Sequence, residues 1–151
     1  MTSWLRSTIL ASVLALAPFG AMAAERSPHA NFILRCAGCH ALDGSGHPVG
    51  GIPDFRGLVG AFATDEATRA YLAHVPGVIG ASLSDAEIAA VLNYIMETWA
   101  GTSLPDPYMA FTADEIAVLR AKDVGDVVSY RRELVEDLTA HGIKTAEYPW
   151  P

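Results

Sequence analysis

The chain carries two cysteines, and both lie in the run Cys36-Ala37-Gly38-Cys39-His40. Two thiols at that spacing can close a disulfide, work as a redox dithiol, supply half of a zinc site, or add to the two vinyl groups of a haem. A disulfide over so small a loop restrains little of the unfolded chain. A redox dithiol wants a strand before it and a helix opening at it. Here Ser27 and Pro28, a good N-cap and a good first helical residue, start a helix that runs into the motif. Zinc needs four ligands, and no second Cys or His pair stands at ligand spacing. Cys-x-x-Cys-His is the attachment signature of a c-type haem. It implies one covalent haem c with its iron, thioethers at Cys36 and Cys39, and His40 as the proximal ligand.

The choice among these depends on where the protein lives. Arg6, the apolar run from Ile9 to Ala17 and the small-x-small site Ala21-Met22-Ala23 form a cleavable secretory signal over residues 1–23. The run is too short for a membrane span and ends in Pro18 and Gly20; an uncleaved anchor is the alternative. Cleavage after Ala23 leaves 128 residues and removes only Arg6 among the charged groups, so 9 basic residues face 17 acidic ones, a net charge of −8. That is enough chain for one domain. The acidic balance argues against nucleic acid and anionic lipid and suits a partner with a basic face. No later segment is long and apolar enough to cross a bilayer. The expected location is the periplasm.

The elements that must position the motif read as helices. Six glycines and two prolines between Asp43 and Gly60 make a loop whose backbone can lie close to a flat cofactor. Residues 64–74 form a short helix stopped before Pro76. Ser84 with Glu87 is a capping box that opens a helix with Ile88, Val91, Leu92, Ile95 and Trp99 on one face, ended by Gly101. Three short helices bury little apolar surface by themselves, so the cofactor completes the core.

Four stretches in order, "FILRCAGCH", "DGSGHPVGGIPDFRG", "HVPGV" and "LSDAEIAAVLNYI", resemble the small class I, monohaem cytochromes c of the periplasmic type, over residues 27–101. The resemblance implies an all-α cytochrome c fold, three to four short helices around one covalent haem. It implies that Phe32 packs the N-terminal helix on the C-terminal one, and that the Pro53 carbonyl accepts the free N–H of the proximal histidine, fixing its tautomer. Pro28 stands where the family has a glycine, at the close helix crossing. The implied role is electron transfer between redox partner proteins, a dehydrogenase as donor and a downstream acceptor, with no catalytic residue. Similar tails occur on small periplasmic cytochromes that accept electrons from periplasmic dehydrogenases. A subunit held permanently in a dehydrogenase complex, or a haem protein with an open distal side binding a small gas or peroxide, are the alternatives.

The family usually takes a distal methionine from the loop before the C-terminal helix, and that loop holds none here. His74 in "HVPGV" and Met109 in "PDPYMAF" are the main candidates for the distal ligand; Met96, at the edge of its helix's apolar stripe, is a third. An iron with no strong protein ligand on that side is the remaining alternative. His29, His47 and His141 read as loop or surface residues.

Residues 102–151 form a C-terminal helical extension beyond the haem domain of residues 24–101. Thr112 with Glu115 reads as a capping box, and Asp126 caps a further helix with Gly142 as its stop. Val127, Leu134, Val135 and Leu138 make its apolar stripe, and Arg131, Arg132, Glu133, Glu136 and Asp137 its solvated side. These helices are expected to wrap the core, while the closing "EYPWP" suits a stiff strip for contact with a partner.

Overall fold

The computed structural model describes residues 26–149. The proposed signal at residues 1–23 and Trp150 lie outside them. Seven α-helices follow one another without a β-strand among the described residues: α1 (Pro28–Arg35), α2 (Ala37–His40), α3 (Glu66–His74), α4 (Pro76–Ile79), α5 (Asp85–Trp99), α6 (Ala113–Arg120) and α7 (Val127–Ala140). Short 3₁₀ turns lie at Pro48–Gly50, Val59–Ala63 and Gly101–Ser103. None of the helices is long and apolar enough to cross a membrane.

The helix starts follow local chemistry. Ser27 accepts from the Ala30 N–H and Pro28 occupies the first turn of α1. Ser84 and Glu87 exchange hydrogen bonds across the first turn of α5. Asp65 and Thr68 do the same at α3, so that helix begins two residues later than residue 64. Asp126 caps α7 through the Ser129 N–H. Thr112 caps α6 by accepting from the Glu115 N–H, but the Glu115 carboxylate turns to Arg69 instead of completing a box.

Helix α1 lies against α5 despite Pro28. Phe32 is buried there, with its ring 4.6 Å from that of Trp99 and 5.9 Å from that of Tyr94. Ile88, Val91, Leu92 and Ile95 form the buried face of α5, and Trp99 is half-buried. The extension joins this core. Helix α6 packs on α5 and α3, and α7 packs on α3. Phe111, Ile116, Leu119 and Leu138 share one hydrophobic cluster with Phe32 and Leu92.

Polar ties also hold the extension down. Asn93 of α5 donates to the Phe111 carbonyl at 2.9 Å and accepts from the Phe111 N–H at 2.8 Å and the Tyr108 hydroxyl at 2.7 Å. Arg69 of α3 makes a two-pronged pair with Glu115, at 2.5 and 2.6 Å, and stacks 3.7 Å over Phe111. Lys122 pairs with Glu66.

Two readings change here. Met96, placed at the edge of the apolar stripe, has no exposed surface at all. Arg131, expected on the solvated side of α7, is 2 % exposed and turned inward. Both changes follow from the extension closing over the core, which creates an interior where a shorter chain would have a surface.

Candidate functional site

One cavity of about 410 Å³ opens beside α2, within the range of small-molecule and cofactor sites. Cys36, Cys39 and His40 lie on one side of it. The remaining wall is largely apolar: Phe55, Leu58, Val59, Leu72, Leu92 and Ile95 among others. Both thiols are free; Cys39 is exposed and Cys36 half-buried. Burial, and secondarily the neighbouring Cys39, pushes the Cys36 thiol up to about 11.

His40 is held from two directions. Its Nδ1 lies 3.1 Å from the Pro53 carbonyl oxygen. A carbonyl can only accept, so Nδ1 carries the proton and Nε2 keeps its lone pair. The ring stacks on Phe55 with centroids 3.8 Å apart and planes 15° apart. Burial pushes His40 down to about 4, against the opposing pulls of the Pro53 carbonyl and Asp54, so the ring is neutral near pH 7. A neutral, oriented imidazole with a free Nε2 is the form that binds a metal.

The Pro53 acceptor is positioned by a tight loop. Gly44 adopts φ +77° against the face of Trp99. A Cβ on Gly46 would stand 2.1 Å from the Ile52 carbonyl oxygen and 2.5 Å from the Pro53 carbonyl carbon. The glycine density of this stretch therefore reflects backbone packed on backbone behind the histidine. Asp54, next in line, is held low mainly by its hydrogen bond with Arg56.

Two free thiols and a neutral imidazole at the edge of an apolar slot fit a covalent porphyrin better than a bare ion. The comparisons with known proteins agree. The chain is 32 % identical over 150 residues to a cytochrome c-552 of Thermus thermophilus, covering 86 % of this chain and 98 % of that protein. It is 34 % identical over 125 residues to a second Thermus thermophilus cytochrome c-552, covering 70 % of this chain and 95 % of that protein. The chain belongs to the class I, monohaem cytochromes c. Its cofactor is a covalently bound haem c with one iron, and it is an electron-transfer cytochrome. No family model matches the chain.

For a cytochrome c, one stretch of the cavity wall is unusual. The segment that would carry a distal methionine contributes Val75, Pro76, Gly77 and Val78 to the wall, with no nitrogen or sulfur side chain among them. The structure does not bring His74 or Met109 to the cavity. His74 Nδ1 sits 2.8 Å from the Ala70 carbonyl oxygen and Nε2 2.9 Å from that of Lys122, so both ring nitrogens face backbone. The Met109 side chain is 71 % exposed, and its carbonyl accepts from Arg69. Met96 does line the cavity, from inside α5. His47 caps a turn through the Gly50 N–H, and His29 lies beside the Tyr94 ring.

Tyr148 and Arg131 are among the wall residues that sequence reasoning missed. Tyr148 of the "EYPWP" strip reaches back to the cavity, where a Cβ on Gly51 would meet its hydroxyl at 3.7 Å. Arg131 lies beside it. The signal for Arg131 was its register: it stands four residues after Val127 and seven before Leu138, on the buried face of α7.

Proposed function

We propose that the chain is a periplasmic electron carrier that accepts electrons from an exported dehydrogenase and passes them to a second protein. Cys36 and Cys39 form the two thioethers, His40 is the proximal ligand, and the Pro53 carbonyl fixes the histidine tautomer. The observation that carries this assignment is the His40–Pro53 hydrogen bond, which presents Nε2 as a lone pair in the same cavity as both thiols. When bound, the haem supplies a one-electron couple. The chain contributes orientation, an apolar surround and a hydrogen bond that makes the imidazole a stronger donor. An excess of acidic residues suits a donor with a basic docking face, through the small interface typical of transient redox encounters.

The test is maturation and mass. Expressed with a leader and a haem-attachment system, the purified chain should gain the mass of one haem and lose residues 1–23. Cys36→Ser with Cys39→Ser should contain no covalent haem, and His40→Ala should lose the native spectrum. A chain that returns from the periplasm with no haem would end this reading.

A second reading has its own support. The residue 75–78 wall lacks a ligand atom in its side chains, which favours an iron open on that side to a small diatomic or peroxide. Addition of cyanide to the ferric protein and nitric oxide to the ferrous protein separates the two. Unchanged spectra favour the carrier with Met96 as the strongest remaining candidate, and rapid, tight binding favours the open site.

A further inference from the structure

A continuous series of rings leads from His40 out of the cavity to the protein surface. His40 stacks on Phe55 with centroids 3.8 Å apart, and both line the cavity. Phe55 lies 6.2 Å from Trp99, Trp99 lies 5.5 Å from Tyr94 with planes at 87°, and Tyr94 lies 5.6 Å from His29. Phe32 braces the middle of the series, 4.6 Å from Trp99 and 5.9 Å from Tyr94. Trp99 and Tyr94 stand behind the cavity wall; both are half-buried, and His29 is exposed.

Apolar burial explains why rings meet where α1 crosses α5. It does not explain their order. Indole and phenol are the aromatic side chains that give up an electron most readily, and here they stand in succession, Trp99 nearer the cavity and Tyr94 beyond it. Electron transfer falls off steeply with distance, so several short steps between neighbouring rings outrun one long step. A phenol sheds its proton as it is oxidised, and the half-exposed Tyr94 can release one to solvent. The tyrosines on the cavity wall are placed differently. The Arg131 guanidinium carbon lies 5.3 Å from the Tyr71 centroid and 5.1 Å from that of Tyr148, and a neighbouring cation opposes withdrawal of an electron from either ring. Burial also makes the Tyr71 phenol hold its proton more tightly. None of the cation–ring contacts among the described residues involves Trp99 or Tyr94.

We infer that Trp99 and Tyr94 form a one-electron relay that drains oxidising equivalents from the cofactor to the surface when a peroxide reaches the iron. This rests on the haem attachment and the open iron of the readings above. Reduction of one hydrogen peroxide to two waters takes two electrons and two protons. One electron is drawn from the haem and the second from Trp99 across Phe55 and His40, while solvent supplies both protons. Tyr94 then returns one electron to Trp99 and releases its phenolic proton to solvent. A soluble one-electron reductant such as ascorbate restores Tyr94 with an electron and a proton. The relay spares Met96, whose thioether lines the same cavity and is open to sulfoxide formation.

Freeze-quench electron paramagnetic resonance of the ferric holoprotein mixed with hydrogen peroxide tests it. Wild type should give a protein radical whose lines narrow when the chain carries ring-deuterated tyrosine, a measurement that needs no variant. Tyr94→Phe should replace it with a radical narrowed by deuterated tryptophan, and Tyr94→Phe with Trp99→Phe should lose both. Tyr71→Phe and Tyr148→Phe should keep the wild-type signal. Peptide mass spectrometry after the same exposure should find more Met96 sulfoxide in the double variant than in wild type. A wild-type radical narrowed by neither label overturns the inference, and so does a tyrosine signal unchanged in Tyr94→Phe or lost in Tyr71→Phe. Equal Met96 sulfoxide in the double variant and wild type overturns it too. A spectrum altered by peroxide and cyanide without any protein radical defeats the relay alone. A spectrum that neither changes defeats the open-iron reading and the relay with it, and absence of covalent haem defeats the attachment assignment.

Discussion

Arg69 of α3 grips Glu115 of α6 with two parallel hydrogen bonds, at 2.5 and 2.6 Å. The arginine side chain is 8 % exposed and the glutamate 31 %. This pair, with Asn93 on the Phe111 backbone, ties α6 and the segment before it to α3 and α5.

Removing the acid should therefore cost more than a surface ion pair. Glu115→Ala leaves the Arg69 charge buried with only the Met109 carbonyl and the Phe111 ring. The expected loss is about 2–3 kcal/mol, below the full penalty of a wholly buried pair because Glu115 keeps some contact with water. Denaturant unfolding of the holoprotein measures it. A change under about 0.5 kcal/mol, the size of an ordinary surface substitution, would show that the pair is solvated in solution.

Gly46→Ala should damage the haem site without touching it. The new Cβ would collide with the Ile52 carbonyl oxygen and the Pro53 carbonyl carbon, and both are backbone atoms. Relief means moving the segment that carries the His40 acceptor. The expected result is a destabilisation of about 1–3 kcal/mol and a shifted reduction potential, since the Pro53 bond sets the imidazole's donor strength. An unchanged potential alongside lost stability would mean that the Pro53 carbonyl keeps its place while the loop strains elsewhere.

Tyr108 makes stability fall at high pH. Its hydroxyl donates to Asn93 Oδ1, and burial pushes the phenol up from 10 to about 12. The folded chain thus holds this proton more tightly than the unfolded one. The stabilisation is fully present below pH 10 and is lost as pH rises toward 12. The difference in stability between wild type and Tyr108→Phe should shrink over that window, and near-ultraviolet absorbance should show one late-titrating tyrosine that the variant lacks. A constant difference across the window would mean that the Tyr108 proton is held no more tightly in the fold.

Local chemistry was legible in the sequence where it acts over a few residues. The Cys36–His40 spacing is set by the edge of a porphyrin, and caps such as Ser84–Glu87 act over three positions. What escaped was decided across the chain. Glu115 sits at the capping-box position, yet Arg69, 46 residues away, takes its carboxylate. Arg131 has the register of a core residue and the side chain of a surface one. Its aromatic partners lie on α3, the Val59–Ala63 turn and the C-terminal strip, so residue type misled where position did not. Met96 likewise follows from the extension closing on α5.

The distal ligand gives the last prediction. His74→Ala and Met109→Ala should each leave the ferric and ferrous visible spectra as they are in wild type, because neither side chain faces the cavity. Their stabilities should differ. His74 spans the Ala70 and Lys122 carbonyls, tying the end of α3 to the residues after α6. Its loss removes the link to those carbonyls and should cost about 1 kcal/mol. Met109 is exposed, and its loss should cost less than about 0.5 kcal/mol. Absorption spectra and denaturant unfolding on the two variants decide the matter. A low-spin signal lost in His74→Ala would mean that the imidazole leaves both carbonyls to reach the iron. A sulfur-to-iron band lost in Met109→Ala would mean that the linker folds back over the haem. Unaltered spectra in both leave Met96 as the thioether on the described cavity wall, and Met96→Leu would then show whether it ligates or the iron stands open.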